Sequence, residues 1–160
     1  ARVYPDLAFE LWGPDGDIVD FVISADGRTE LFAEVLDAVH AAPKIPGWRV
    51  VAFRPRRSIR ARVSAMGHQL SGDQIWYRCE PEDGRLRVAL FVEELTDENW
   101  DILCATSCVL LDMALGEFDA ATKIAALEHY PLNDETRGLG AKPLAQLPGE
   151  LDRFFAETLH

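Results

Sequence analysis

Apolar and polar residues alternate through Leu7-Ala8-Phe9-Glu10-Leu11-Trp12 and again from Ile18 to Ser24, which predicts two strands. The turn-rich Gly13-Pro14-Asp15-Gly16-Asp17 between them predicts a hairpin. Beyond Asp26-Gly27 the period changes. Leu31, Phe32, Val35, Leu36 and Val39 recur at helical spacing and Pro43 closes the run, so an amphipathic helix is expected. Period two returns from Trp48 to Arg54, with apolar residues on both faces as in an interior strand. It continues in Ile59-Arg60-Ala61-Arg62-Val63, followed by a turn at Met66-Gly67-His68 and a short Gln69-Leu70 segment. Gln74 to Glu80 and Arg85 to Glu93 form the clearest hairpin, because two alternating runs flank Pro81-Glu82-Asp83-Gly84.

The second long helix is expected to open with Thr96 as N-cap and Asp97 and Glu98 at the positive end of its dipole. Its stripe of Trp100, Leu103, Cys104, Ser107, Leu111 and Leu115 is widened by Val109, Leu110 and Met113, and Gly116 stops it. Thr122 to Tyr130 reads as a strand, Pro131 to Lys142 as a polar surface excursion, and a last helix follows Pro148 with Leu151, Phe154, Phe155 and Leu159 facing the body. Strand-helix-strand from Ile18 to Arg54 and from Arg85 to Tyr130 thus flank a central hairpin. That order resembles an elaborated ferredoxin-like arrangement, an α+β two-layer sandwich with one mainly antiparallel sheet. With right-handed crossovers, both long helices cover one face of that sheet, a C-terminal helix joins them, and the opposite face stays open to a partner. Residues 1–160 are expected to form a single domain, since this length buries a sizeable core without staples.

Charge narrows the choice of partner. The chain has 16 Lys and Arg against 27 Asp and Glu, a net charge of -11, which opposes general binding to nucleic acid or anionic lipid. The longest apolar run, around Cys104 to Leu115, is broken by Ser107 and Asp112 and is too short for a membrane span. The start, Ala1-Arg2-Val3-Tyr4-Pro5, has no charged-then-apolar leader. Three cysteines, Cys79, Cys104 and Cys108, are an odd number and fit reduced thiols in a cytoplasm.

Against that acidic background, Arg54-Pro55-Arg56-Arg57-Ser58-Ile59-Arg60-Ala61-Arg62 concentrates positive charge. Arg60 and Arg62 on one strand face, with Arg54 or Arg57 nearby, would make a patch for carboxylate or phosphate. The competing account is that these arginines pair with the chain's own acids or blunt a sheet edge. Trp12 and Trp76 lie opposite the core-facing residues of their strands and would anchor a docking surface on the open sheet face, or pack under the final helix. Cys104 and Cys108 supply at most half a zinc site, and the cluster Glu93, Glu94, Asp97, Glu98 and Asp101 matches no calcium loop, so no metal or cofactor is expected. His68 in a loop with Asp73 downstream is the least implausible general base. No phosphate loop, HExxH pair or GxSxG elbow occurs.

Ile45-Pro46-Gly47-Trp48-Arg49-Val50-Val51-Ala52-Phe53-Arg54-Pro55-Arg56, together with Leu110-Leu111-Asp112-Met113-Ala114-Leu115-Gly116-Glu117-Phe118-Asp119, resembles bacterial proteins known only as domains of unknown function. That resemblance implies a bacterial cytoplasmic setting and transfers no catalytic residue. The function expected from the residues is a non-catalytic module that binds a protein partner or a small anionic ligand through a sheet face, with Trp12, Arg54, Arg57, Arg60, Arg62 and Trp76 as the contacts. The alternative is an enzyme with a dispersed polar site around His68 and Asp73, acting on an anionic substrate.

Overall fold

The computed structural model describes residues 4–13 and 17–158, so the turn expected at Pro14-Asp15-Gly16 lies outside the described residues. The α+β class is as expected, but the strands divide among three sheets instead of sharing one. The first is β1 (Ala8–Trp12), β2 (Val19–Ser24) and, after helix α1 (Phe32–Ala41), β3 (Trp48–Ala52). Here β1 and β2 pair antiparallel and β3 returns parallel to β2, in the order β1-β2-β3. A two-stranded hairpin of β4 (Val63–Ala65) and β5 (His68–Leu70) follows. The segment expected as a strand from Ile59 enters the ladder only at Val63, so Arg60 and Arg62 precede it.

The central hairpin, β6 (Ile75–Glu82) and β7 (Arg85–Val92), opens the third sheet. It is followed by α2 (Trp100–Leu115), the short α3 (Glu117–Lys123) and β8 (Ile124–Pro131), which returns parallel to β7. The chain finishes through α4 (Asp134–Gly138), β9 (Lys142–Pro143) on the free edge of β6, and α5 (Leu147–Thr158). The strand order is β8-β7-β6-β9. Two ββαβ units of the same connectivity therefore succeed each other. This corrects the picture of both long helices on one sheet: α1 closes on β2 and β3, whereas α2 packs on β7, the β4–β5 hairpin and α5. Each return strand pairs within its own unit, and no periodicity in the residues reveals which ladder a strand joins.

Two apolar clusters match this division. Ile23, Ala25, Val35 and Phe53 centre the first, while Tyr77, Leu90, Leu110, Leu115, Leu144 and Leu151 belong to the larger second. Burying each such leucine stabilises the fold by about 1.5–3 kcal/mol of transfer free energy. α2 begins at Trp100, not at Thr96: the Thr96 N–H donates instead to Asn99 Oδ1 at 2.8 Å, forming a turn ahead of the helix. Thr122 and Lys123 belong to α3, so the strand expected from Thr122 starts two residues later at Ile124.

The units are joined through the residue that follows α2. Gly116 has φ 78° and ψ 151°, a conformation open essentially to glycine alone, and a Cβ there would lie 3.2 Å from Arg56 N. That turn drives Glu117, which is 4% exposed, into the first unit. Its carboxylate accepts from the N–H groups of Ala25 (2.9 Å), Gly27 (3.1 Å) and Arg54 (3.0 Å), while its own N–H donates to Arg54 O (2.9 Å). Phe118 extends the joint by stacking near Phe32 and Phe53 at ring separations of 5.6 and 5.3 Å. Gly116 stops α2 as expected, and the residues after it begin α3.

Charge-assisted hydrogen bonds are worth about 1.5–3 kcal/mol each, and a buried donor left unpaired costs a similar amount. Glu117→Gln places an amide nitrogen where a carboxylate oxygen now accepts, so urea unfolding is expected to show a loss of about 3–5 kcal/mol. A loss below about 1 kcal/mol contradicts this account of the joint.

Candidate functional site

Alternation on β1 sends Phe9 and Leu11 to one face and Glu10 and Trp12 to the other. Opposite that second face runs the segment 54–57, held by Phe53 with φ 64° and by the Arg57 N–H, which donates to Met113 O of α2 at 2.6 Å. Between them lies a cleft of about 410 Å³, lined by Glu10, Trp12, Arg54, Pro55, Arg57, Val109, Asp112 and Met113. It sits where β1 of the first unit meets α2 of the second.

Glu10 is the hub. It accepts from Trp12 Nε1 at 2.8 Å, from Arg54 Nε, and at 3.4 Å from Arg57 Nη2. Burial alone would raise its pKa, but the hydrogen bonds from Arg54 and Trp12 and the two positive charges outweigh it and hold the carboxyl below its ordinary range. Arg54 is held by two carboxylates: besides Glu10, its Nη2 reaches Asp26 at 2.5 Å, and its backbone N–H goes to Glu117. Arg57 is not. Its guanidinium sits over the Trp12 ring with only 18% of the side chain exposed, and Nε and Nη1 have no acceptor among the described residues. Burial lowers its pKa, partly offset by Glu10, without bringing an arginine near neutrality. Asp112 stays in contact with solvent on the α2 wall, yet the protein packed around it raises its carboxyl pKa; Arg54 opposes that rise and Glu117 adds to it.

Three of the six residues singled out from sequence, Trp12, Arg54 and Arg57, therefore meet in one cleft. The other three do not. Arg60 is exposed ahead of β4 and Arg62 donates to Gln69 Oε1 at 3.3 Å. Trp76 lies on the outer face of the four-stranded sheet beneath the Arg137 guanidinium, 5.4 Å from its ring centroid. That face holds a separate hollow of about 290 Å³, whose lining includes Arg78, Ala89, Phe91, Glu128 and Tyr130. Arg56, in the middle of the basic run, serves packing: it binds Asp152, Asp119 and Leu115 O, tying α3 and α5 together. Glu10, Val109, Asp112 and Met113 were missed. The one signal for Asp112 was a charge inside the otherwise apolar Leu110 to Leu115.

The acid–base alternative is not assembled. His68 and Asp73 are both exposed, and Asp73 accepts from Ser71 Oγ at 3.4 Å instead of orienting His68. The thiols are poor nucleophiles, since burial and Glu150 push Cys79 up to about 12 and burial raises Cys104 and Cys108. No group of three His, Cys, Asp or Glu side chains converges to hold a metal among the described residues. None of the helices among the described residues is long and apolar enough to cross a membrane. No protein-family model matches the chain, and neither curated proteins nor solved structures yield a match.

Among the described residues, one histidine is partly buried. His129 on β8 places Nε2 2.9 Å from Ser107 Oγ and 3.9 Å from Cys108 Sγ, and burial lowers its pKa. Ser107 Oγ already donates to Cys104 O, so it accepts from Nε2–H and a proton added at Nδ1 gains nothing there. The unfolded chain takes up that proton near pH ~6.5 and the folded chain only below it, so this stability is complete above the unfolded value and is lost as pH falls through the folded one. Unfolding free energies measured from about pH 8 to 5 should show this decline relative to a His129→Gln variant. Parallel curves for the two proteins would disprove it.

Proposed function

We propose that the protein is a non-catalytic binding module, and that its ligand is a small anionic molecule seated in the cleft between β1 and α2. The observation that carries this reading is Arg57: a cation held in place by the Trp12 ring, largely enclosed, with hydrogen-bond donors still unspent. Arg49, Arg54, Arg56, Arg87 and Arg137 each hold a carboxylate more closely than the 3.4 Å between Arg57 Nη2 and Glu10, so Arg57 is the more weakly committed guanidinium of the cleft. A guanidinium fixed against an aromatic ring loses little entropy on gripping an anion, and a partly dry cleft strengthens the contact. Unpaired Cys79, Cys104 and Cys108 support a reducing, cytoplasmic setting for this module.

The test is a heteronuclear NMR titration with acetate and with inorganic phosphate. The Trp12 indole N–H and Arg57 Nε–H resonances are expected to move, and Arg57→Met should weaken the response about tenfold or more. Shifts confined to residues outside the cleft, or an Arg57→Met response equal to that of the parent, would refute the assignment.

A further inference from the structure

The cleft admits only some anions, and its charge inventory says which. Two guanidinium groups face two carboxylates, from Glu10 and Asp112. Arg54 is paired with both Glu10 and Asp26 through Nε and Nη2, whereas Arg57 makes one longer contact with Glu10 and keeps Nε and Nη1 without an acceptor among the described residues, so Arg57 is the group best placed to meet a ligand. These four groups already balance, so a ligand's negative charge is held by the donors left over on Arg57 and not by an excess of positive charge. A second charge on the ligand would find Arg54 already paired with two carboxylates and would approach Asp112 at a cost. The arginine fork matches carboxylate and phosphate alike, so it is Asp112 beside it that favours the singly charged carboxylate.

The remaining walls are apolar. Val109 and Met113 on α2, Pro55 and the Trp12 ring enclose a volume far larger than a carboxylate group needs. Val109 and Trp12 are among the large apolar side chains left exposed, at 47% and 39%, so covering them releases water from apolar surface. Resting on the cleft reading above, we infer that the ligand class is a monocarboxylate carrying a short aliphatic or aryl body, with Arg57 gripping the carboxylate, Val109, Met113 and Trp12 taking the body, and Asp112 excluding dianions.

Asp112 also gives the site a direction of response to pH. Although the side chain stays exposed, the protein packed around it raises its carboxyl pKa, with Arg54 opposing and Glu117 adding to the rise, so acid neutralises it ahead of an ordinary surface aspartate and the ligand's negative charge then meets less repulsion. Arg54, Arg57 and Glu10 are the other ionisable groups lining the cleft; the arginines keep their charge, and Glu10 is held below its ordinary range. Binding should therefore tighten as pH falls, so long as the carboxylate ligand stays ionised.

Titration calorimetry on the full chain with 3-phenylpropionate, 3-phenylpropanol and phenyl phosphate separates the possibilities. At about pH 7 the carboxylate is expected to bind about tenfold or more tightly than the alcohol and than the phosphate. Arg57→Met should abolish the preference over the alcohol, and Arg57→Lys, which keeps the charge but loses the fork, should weaken the carboxylate while leaving thermal stability close to that of the parent. Asp112→Asn should admit phenyl phosphate and flatten the pH dependence. Phenyl phosphate binding as tightly as the carboxylate overturns the monocarboxylate inference and leaves the anion cleft standing. Equal binding of acid and alcohol, binding indifferent to Arg57, or no heat from any probe at millimolar concentration overturns both.

Discussion

The buried Glu117 carboxylate is the constraint on which the arrangement of this molecule depends. A charge that is 4% exposed is tolerable only if its lone pairs are filled, and here three backbone N–H groups from two loops of the first unit fill them. Because Ala25 and Gly27 follow β2 while Arg54 follows β3, one side chain fixes the ends of two neighbouring parallel strands at once. It can do so only because Gly116 adopts a backbone that other residues do not, and because α2 ends where it does.

That joint explains why a cleft exists at all. Once Glu117 and Phe118 hold the C-terminal end of α2 against the first unit, Val109, Asp112 and Met113 stand opposite β1. The strand's alternation then places Glu10 and Trp12 into the gap while Phe9 and Leu11 point away. Acidic excess does the rest: Arg49, Arg56, Arg87 and Arg137 are neutralised locally, and the pair reaching Glu10 divides one carboxylate unequally, Arg54 closely and Arg57 only at 3.4 Å. The unspent donors of Arg57 are thus a consequence of packing and charge arithmetic together.

The two ββαβ units differ in how completely they hide their apolar faces. In the second, α2 is apolar nearly all round and is covered by β7, the β4–β5 hairpin and α5. In the first, α1 covers β2 and β3, and β1 keeps Phe9 and Leu11 68% and 58% exposed. A polar network of Glu150 with Tyr77, Cys79 and Lys142 ties α5 to β6 and β9 in the second unit, whereas in the first the network around Glu10 ties β1 to the segment that follows β3.

Local pattern carried most of the elements. Period two marked both hairpins, period 3.6 marked α1, α2 and α5, and the α+β class followed, because such periodicities record which face of a segment avoids water. The acidic balance and the anomalous arginine run were also legible, and Arg54 and Arg57 were drawn from them, while Trp12 was drawn from its place opposite the core-facing residues of its strand. What the residues alone could not decide was partnership across the chain. Whether β3 shares a sheet with β7, whether Arg57 or Arg60 finds an acid, and whether Trp12 and Trp76 face one site or two depend on contacts between segments tens of residues apart. Glu117 shows the reason most plainly: in sequence it is an ordinary acid at a helix start, and only the fold supplies the three N–H groups, up to 92 residues away, that turn it into the joint between the units.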